Sequence, residues 1–201
     1  MSQLTLLNAG CGAVGGIDRV PAFFRLPEWS EVRLDIDPAV QPDIVASITD
    51  MSCIRSESVD AIWCSHNLEH LYDHEVSQAL REFVRVLKSN GFIYIKVPDL
   101  QAIAEFIAAD SPDGVAYEAS AGSITPLDMI YGHRPSVAAG NMYMAHHTGF
   151  TPRILERTLA SAGFAFGVLK RQSYMEVSAL AFKSGADGTG TRDRILAELE
   201  F

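Results

Sequence analysis

Leu4-Thr5-Leu6-Leu7-Asn8-Ala9-Gly10-Cys11-Gly12-Ala13-Val14-Gly15-Gly16 is the stretch whose reading decides the fold. Leu4, Leu6 and Leu7 form a short apolar run, the pattern of a buried strand, and the run stops in a glycine-dense turn. Glycine is favoured where the backbone takes positive φ or where a ligand approaches too closely for a Cβ. A strand feeding such a loop is how doubly wound α/β proteins build a nucleotide site at the carboxyl ends of their strands. Gly10, Gly12 and Gly15 satisfy the G-x-G-x-x-G spacing of dinucleotide binding. The helix that should follow is poor, however, because Pro21 and Pro27 interrupt it and Gly15-Gly16 weaken its start. A pyrophosphate needs a well-formed helix N-terminus here, so a ligand without phosphates fits better.

The remaining strands follow in order. Val32 to Asp37 is a second strand ending in acid and stopped by Pro38. Asp35 lies about 20 residues beyond the glycine loop, the separation at which a strand-end acid meets ribose hydroxyls. A carboxylate accepts from both hydroxyls at once, which holds the sugar. Asp43 to Met51 reads as a third strand followed by acid. Val59 to His66 reads as a fourth, closing on the small and polar Ser65 and His66. After Asp73, a good N-cap, Val76, Leu80, Phe83, Val84 and Leu87 form one helical stripe, with Asn90-Gly91 as its C-terminal stop. Phe92 to Pro98 is a fifth strand and Leu100 to Ala109 a helix.

Residues 110–150 show little apolar periodicity but carry Tyr117, Tyr131, His133, Arg134, Tyr143, His146 and His147. A polar, aromatic stretch of that length inside a compact domain points to function. Thr151-Pro152 opens the last core helix and Gly163 closes it. Phe164 to Arg171 and Glu176 to Phe182 read as two closing strands. Ser184 to Thr191 is a glycine-rich linker, and Arg192 to Phe201 a short tail helix that a homodimer could use as its contact.

The order of these motifs resembles class I S-adenosylmethionine-dependent methyltransferases of the small-molecule, ubiquinone/menaquinone type, over residues 4–183. Gly10, Cys11 and Gly12 fall on the first motif, with Asn8 in place of its acid and Val14 in place of a common third glycine. Ser65-His66-Asn67-Leu68-Glu69-His70-Leu71 resembles the family's Ser-x-x-x-Glu-His-Leu wording. Arg85 to Gly91 resembles its Arg-x-Leu-Lys-Pro-Gly-Gly segment.

The resemblance implies a Rossmann-like, doubly wound seven-stranded α/β sheet, mostly parallel with an antiparallel C-terminal hairpin. It implies a domain over 1–183, with an acceptor-site insertion at about 110–150, and a linker and tail over 184–201. S-adenosyl-L-methionine is the implied cofactor, contacted by Asn8, Gly10, Cys11, Gly12, Asp35, Ile36, Asp50, Met51 and Ser65. Asp50 would accept from the adenine amino group and Met51 would cover the ring. Methyl transfer to a small-molecule oxygen or nitrogen would need a base, for which His66, His133, His146 and His147 are the candidates.

Composition bounds the alternatives. The chain has 201 residues, is 48% hydrophobic and 20% charged, and carries a net charge of −9, which describes one globular domain and disfavours a phosphate-rich partner. Nucleic acid is therefore not expected as substrate. Cys11, Cys53 and Cys64 lack paired spacing and read as reduced thiols. With no leader-like or membrane-length apolar run, a cytoplasmic protein without membrane attachment is expected. His66-x-x-Glu69-His70 also matches a zinc-hydrolase wording, which requires all three on one helix. A strand running into Ser65 argues against that, so no metal ligand is assigned. A nicotinamide-dependent dehydrogenase would share Gly10, Gly12 and Asp35 but leave Ser65 to Leu71 unexplained. A non-catalytic cofactor-binding protein is the remaining alternative.

Overall fold

The computed structural model describes residues 3–13, 20–109, 114–119, 122–173, 175–183 and 191–201. Val14, Gly15, Gly16 and the 184–190 linker, all used in the sequence reading, lie outside the described residues.

Seven strands form one sheet: β1 (Leu4–Ala9), β2 (Trp29–Asp35), β3 (Ile44–Val45), β4 (Val59–Ser65), β5 (Leu87–Pro98), and later in the chain β8 (Phe166–Gln172) and β9 (Glu176–Phe182). Their spatial order is β3-β2-β1-β4-β5-β9-β8. The first five run parallel, and β9 pairs antiparallel with both β5 and β8. The expected doubly wound sheet with an antiparallel closing hairpin is what forms. Strand order reverses between β1 and β4, so the chain leaves these neighbours in opposite directions and a crevice opens beyond their carboxyl ends.

β1 is central, and Leu6 and Leu7 point to opposite faces with neither exposed. On one face Leu7 joins Leu34, Ile62 and Ile93 under helices α1 (Asp73–Val86) and α5 (Pro152–Ala162), which contribute Leu80, Phe83, Leu155 and Leu159. On the other, Leu6 and Trp63 meet Phe23, Phe24 and Trp29 and the tail helix α6 (Thr191–Glu198). The helix usual after the first strand of such sheets is represented among the described residues by a 3₁₀ turn, Ala22–Arg25. Its aromatics take over the packing: Phe24 lies 6.0 Å from Phe92 and 5.1 Å from Trp29. The tail packs on its own sheet, where Ile195 and Leu199 are buried, Phe201 meets Tyr94 at 5.3 Å, and Arg192 covers the Phe166 ring at 4.3 Å.

Several local expectations shift. The third strand is only Ile44–Val45, because Ser47 bonds to Thr49 and turns the chain. Tyr72, not Asp73, occupies the α1 N-cap, and its N–H donates to Glu75 at 2.9 Å. α1 ends at Val86 and the chain enters β5 at once, with Leu87 extended and Gly91 inside the strand. A side chain at Gly91 would crowd the Asp60 carbonyl, so the glycine serves strand packing rather than a helix stop. Thr151, by contrast, caps α5 as expected, accepting from the Ile154 N–H, and Gly163 closes it at φ 109°.

The described residues of the 110–150 segment fold into short regular elements. After α2 (Leu100–Ala109) come a hairpin, β6 (Tyr117–Ala119) and β7 (Gly122–Ile124), then α3 (Pro126–Tyr131), α4 (Arg134–Ala138) and a 3₁₀ turn at Met142–Met144. Ile124 and Met129 join Ile103 of α2 in a small core of their own.

Phe83 is wholly enclosed between α1 and the sheet. Phe83→Ala is expected to lower folding stability by about 3–5 kcal/mol through lost burial and a residual cavity, measured as a shift in the urea unfolding midpoint at unchanged slope.

Candidate functional site

The glycine loop leaves β1 with Gly10 at φ 73° and Gly12 at φ 58°. A Cβ at Gly10 would collide with the Asn67 side chain, which donates to the Ala9 carbonyl at 3.2 Å. The turn therefore needs glycine for conformation and for the close approach of the segment after β4. Asp35, at the end of β2, reaches back to this loop. Its Oδ2 accepts the Gly12 N–H at 2.8 Å and its Oδ1 the Asp37 N–H at 3.0 Å. Each oxygen keeps a further lone pair. Arg33 clips the same loop to the next connection, donating to the Gly12 carbonyl at 2.7 Å and the Gln41 carbonyl at 2.8 Å.

The other expected cofactor residues lie around this crevice in different states. Asn8 is buried and donates to Glu31 at 2.7 Å, so a carboxylate from β2 stands beside the position where the first motif lacks its acid. Cys11 is partly buried, and burial pushes its thiol pKa up despite Arg33 nearby. Ile36 is 49% exposed, an apolar side chain left facing solvent at the strand end. Asp50 is exposed and accepts the Ser52 N–H at 3.1 Å, and the hydrogen bonds from Ser52 hold its carboxyl below the usual range. Met51 has its side chain in the core with no exposure; its N–H donates to Glu82 and its carbonyl accepts from Arg85. Ser65 is buried at the end of β4.

Just beyond β4 the chain builds a charged cluster. His66 sits at φ 47° and is followed by a 3₁₀ turn, Leu68–His70. The metalloenzyme wording therefore does not lie along one helix. The His66 ring bridges two carboxylates, with Nε2 2.7 Å from Glu176 and Nδ1 3.2 Å from Glu69. A carboxylate only accepts, so both bonds together require the imidazolium, which has no lone pair for an incoming proton. Glu176 also pairs with Lys96 at 2.6 Å. Burial pushes the Glu176 carboxyl up, but His66 and Lys96 outweigh it and hold the pKa below its ordinary value. Lys96 and Glu176 were missed by sequence reasoning. The available signal was a lone lysine in the otherwise apolar strand Phe92-Ile93-Tyr94-Ile95-Lys96-Val97.

Glu69 is 1% exposed. Burial opposes its charge, yet the His66 hydrogen bond and the neighbouring imidazoles keep its pKa low. The chain before α5 returns across this residue: the His147 and Thr148 N–H groups both donate to the Glu69 carbonyl, at 2.8 and 3.2 Å. His146 is thereby brought against His70, ring centroids 4.7 Å apart. Burial lowers the His146 pKa, with Glu69 opposing, which favours its neutral form. His133 instead bonds Ser136 at 2.7 Å within its own turn. His147 stacks on Tyr72 at 4.3 Å.

Residues 6–95 match the family model described as a methyltransferase domain. No curated protein sequence matches. Among solved structures, a SAM-dependent methyltransferase from Archaeoglobus fulgidus superposes with a TM-score of 0.58 at 13% identity, over 90% of this chain and 86% of that one. The 1,6-didemethyltoxoflavin-N1-methyltransferase of Burkholderia thailandensis, solved with 1,6-didemethyltoxoflavin and S-adenosylhomocysteine bound, gives 0.56 at 15% identity over 91% and 72%. A Bordetella parapertussis protein gives 0.58 at 14% identity over 92% of this chain and 63% of its own, so the present chain spans under two thirds of that relative. At these identities the superpositions speak for the fold alone, and the domain match covers residues 6–95: this chain has the Rossmann-like fold of S-adenosylmethionine-dependent methyltransferases and is similar to their domain over its first half. The match is to the general domain rather than to a ubiquinone-type subclass.

The insertion is clamped by Asp128, which accepts from Thr125 and from Arg134 at 2.9 Å. Burial alone would raise this carboxyl, but the Arg134 and Thr125 hydrogen bonds draw it down to about 2. A depressed acid contributes stability above its unfolded pKa, here about 3.8, and loses it as pH falls toward 2. Asp128→Asn is expected to flatten acid unfolding between about pH 4 and pH 2. It should also speed amide exchange in residues 122–134, read by hydrogen–deuterium exchange.

Proposed function

We propose that the protein transfers the methyl group of S-adenosylmethionine to an oxygen or nitrogen of a small-molecule acceptor. The observation that carries this reading is the Gly12 N–H bond to Asp35, which sets a ribose-competent carboxylate against a glycine turn at the switch point of the sheet. In this reading Gly10, Cys11, Gly12 and Asn8 border the methionine end, and Glu31 compensates for the missing acid. Asp35 receives the ribose hydroxyls, Ile36 flanks the adenine, and Asp50 accepts from its amino group. Met51 contributes its main chain, because its side chain is spent on the core. Ser65 forms the wall nearest the sulfonium.

The acceptor is assigned to the crevice beneath the 114–150 insertion. Bound S-adenosylmethionine would supply an electrophilic methyl group to the acceptor's lone pair there, with S-adenosylhomocysteine as the leaving product. Positioning and exclusion of water supply most of the rate. Of the candidate bases, His146 is best placed, since burial favours its neutral form beside the cluster, whereas both ring nitrogens of His66 are engaged by carboxylates and His133 stands apart. The net charge of −9 and the small-molecule activity of the similar Burkholderia enzyme support a small acceptor over nucleic acid. Among the described residues no helix is long and apolar enough to cross a membrane, and Cys11, Cys53 and Cys64 are all free thiols, which supports a cytoplasmic site of action.

Calorimetric titration with S-adenosylhomocysteine tests the cofactor half. Wild-type protein is expected to bind at micromolar levels, and Asp35→Asn at least about tenfold more weakly, the scale of one lost charge-assisted hydrogen bond. Absence of wild-type binding would overturn the reading. Methylation of short RNA or DNA, with a panel of small hydroxyl and amine acceptors inert, would overturn the acceptor class.

A further inference from the structure

We infer that Glu69, His70 and His146 form a binding site for a divalent transition-metal ion. One donor atom from each residue lies within 4.8 Å of the others. Such a span contracts to a coordination shell by small side-chain rotations, since ligands at about 2.0–2.2 Å from a metal stand a little over 3 Å apart. Two independent features of the residues themselves point the same way.

The first is an orphan. Glu69 is 1% exposed, its Oε1 is taken by His66, and its Oε2 has no hydrogen-bond partner although it is enclosed. An unsatisfied buried carboxylate oxygen is destabilising, and a cation at this point satisfies it. The second is the orientation of the two rings. His70 Nδ1 lies 3.0 Å from the Ala145 carbonyl and His146 Nδ1 lies 2.9 Å from the Met129 carbonyl. A carbonyl only accepts, so each Nδ1 carries a proton, and in the neutral ring the lone pair is left on Nε2. Carbonyl-anchored histidines with a carboxylate oriented from behind are the usual outer-shell arrangement of metal ligands. Here His66, Glu176 and Lys96 supply the backing for Glu69.

The donor set is two imidazole nitrogens and one carboxylate oxygen, which suits zinc, ferrous iron or their neighbours rather than magnesium or calcium. It leaves coordination positions open. The trio differs from the one the sequence suggests: His66 occupies the opposite carboxylate oxygen, and His146, delivered by the insertion, takes its place. Asn67, which touches the glycine loop at Gly10, is two residues from Glu69, so the ion would lie beside the cofactor crevice. An ion here takes the Nε2 lone pair of His146, so in the metal-loaded protein His146 is a ligand and no longer a base; only the corollary that an acceptor hydroxyl fills an open position rests on the methyltransferase reading.

The test is titration of tag-free, chelator-stripped full-length protein with Co(II), followed by visible ligand-field absorption and by equilibrium dialysis with metal analysis, then competition by Zn(II). One equivalent is expected to bind with a nitrogen/oxygen spectrum. Glu69→Gln and His146→Asn should each weaken binding at least tenfold, while His74→Asn, on the exposed side of α1, should bind as wild type does. Circular dichroism confirms that each variant is folded. Should Glu69→Gln fail to fold, His146→Asn decides alone, because it alters the insertion rather than the sheet edge. Absence of uptake by wild-type protein, or equal uptake by folded His146→Asn, would overturn the proposal. S-adenosylhomocysteine affinity, measured on the same samples, separates this outcome from a failure of the cofactor reading.

Discussion

A carboxylate removed from water governs the carboxyl end of this sheet. Glu69 is buried at the end of β4, where an isolated charge would be costly, and the surrounding structure answers that cost from three directions. His66 binds one oxygen and is itself braced by Glu176 and Lys96 on the neighbouring strands. The His70 and His146 rings stand on the other side. The Glu69 carbonyl receives two N–H groups of the returning insertion. A single residue thus ties β4, β5, β9 and the 114–150 segment together, and breaking one partner would expose the others to the same cost.

The glycine loop depends on a parallel arrangement a short distance away. Gly10 gives way to Asn67, and Gly12 is held by Asp35 and Arg33, so the backbone is pinned on both sides before any ligand arrives. Preorganisation of this kind spares a bound cofactor the cost of ordering its own site. It also links the two halves of the crevice: the segment that carries Glu69 and His70 begins at the asparagine that the loop touches.

The unusual feature of the scaffold is how one face of the sheet is covered. Among the described residues, aromatic side chains from a 3₁₀ turn and from β2, together with the tail helix, pack on this face. Aromatics bury a large area per residue and reward edge-to-face packing, so a few of them can replace several turns of helix. The sequence shows the cause in Pro21, Pro27 and the cluster of Phe23, Phe24 and Trp29.

Much of this was legible in the chain itself, because it rests on short-range physics. Apolar runs became buried strands, the paired positive-φ glycines became a turn, and Thr151-Pro152 and Gly163 bounded a helix as their conformational preferences dictate. Asp35 was identifiable by its distance from the glycine loop. Local signals failed where packing competed with them: Asn90-Gly91 reads as a helix stop but belongs to β5, since the strand's pairing with β4 and β9 outweighs propensity. The tertiary structure alone decided that Met51 faces the core, that the tail helix lies on its own sheet, and that His146 rather than His66 joins Glu69 and His70. Those are meetings between residues far apart in the chain, set by where an insertion crosses a strand end, and no spacing rule in the sequence encodes that path.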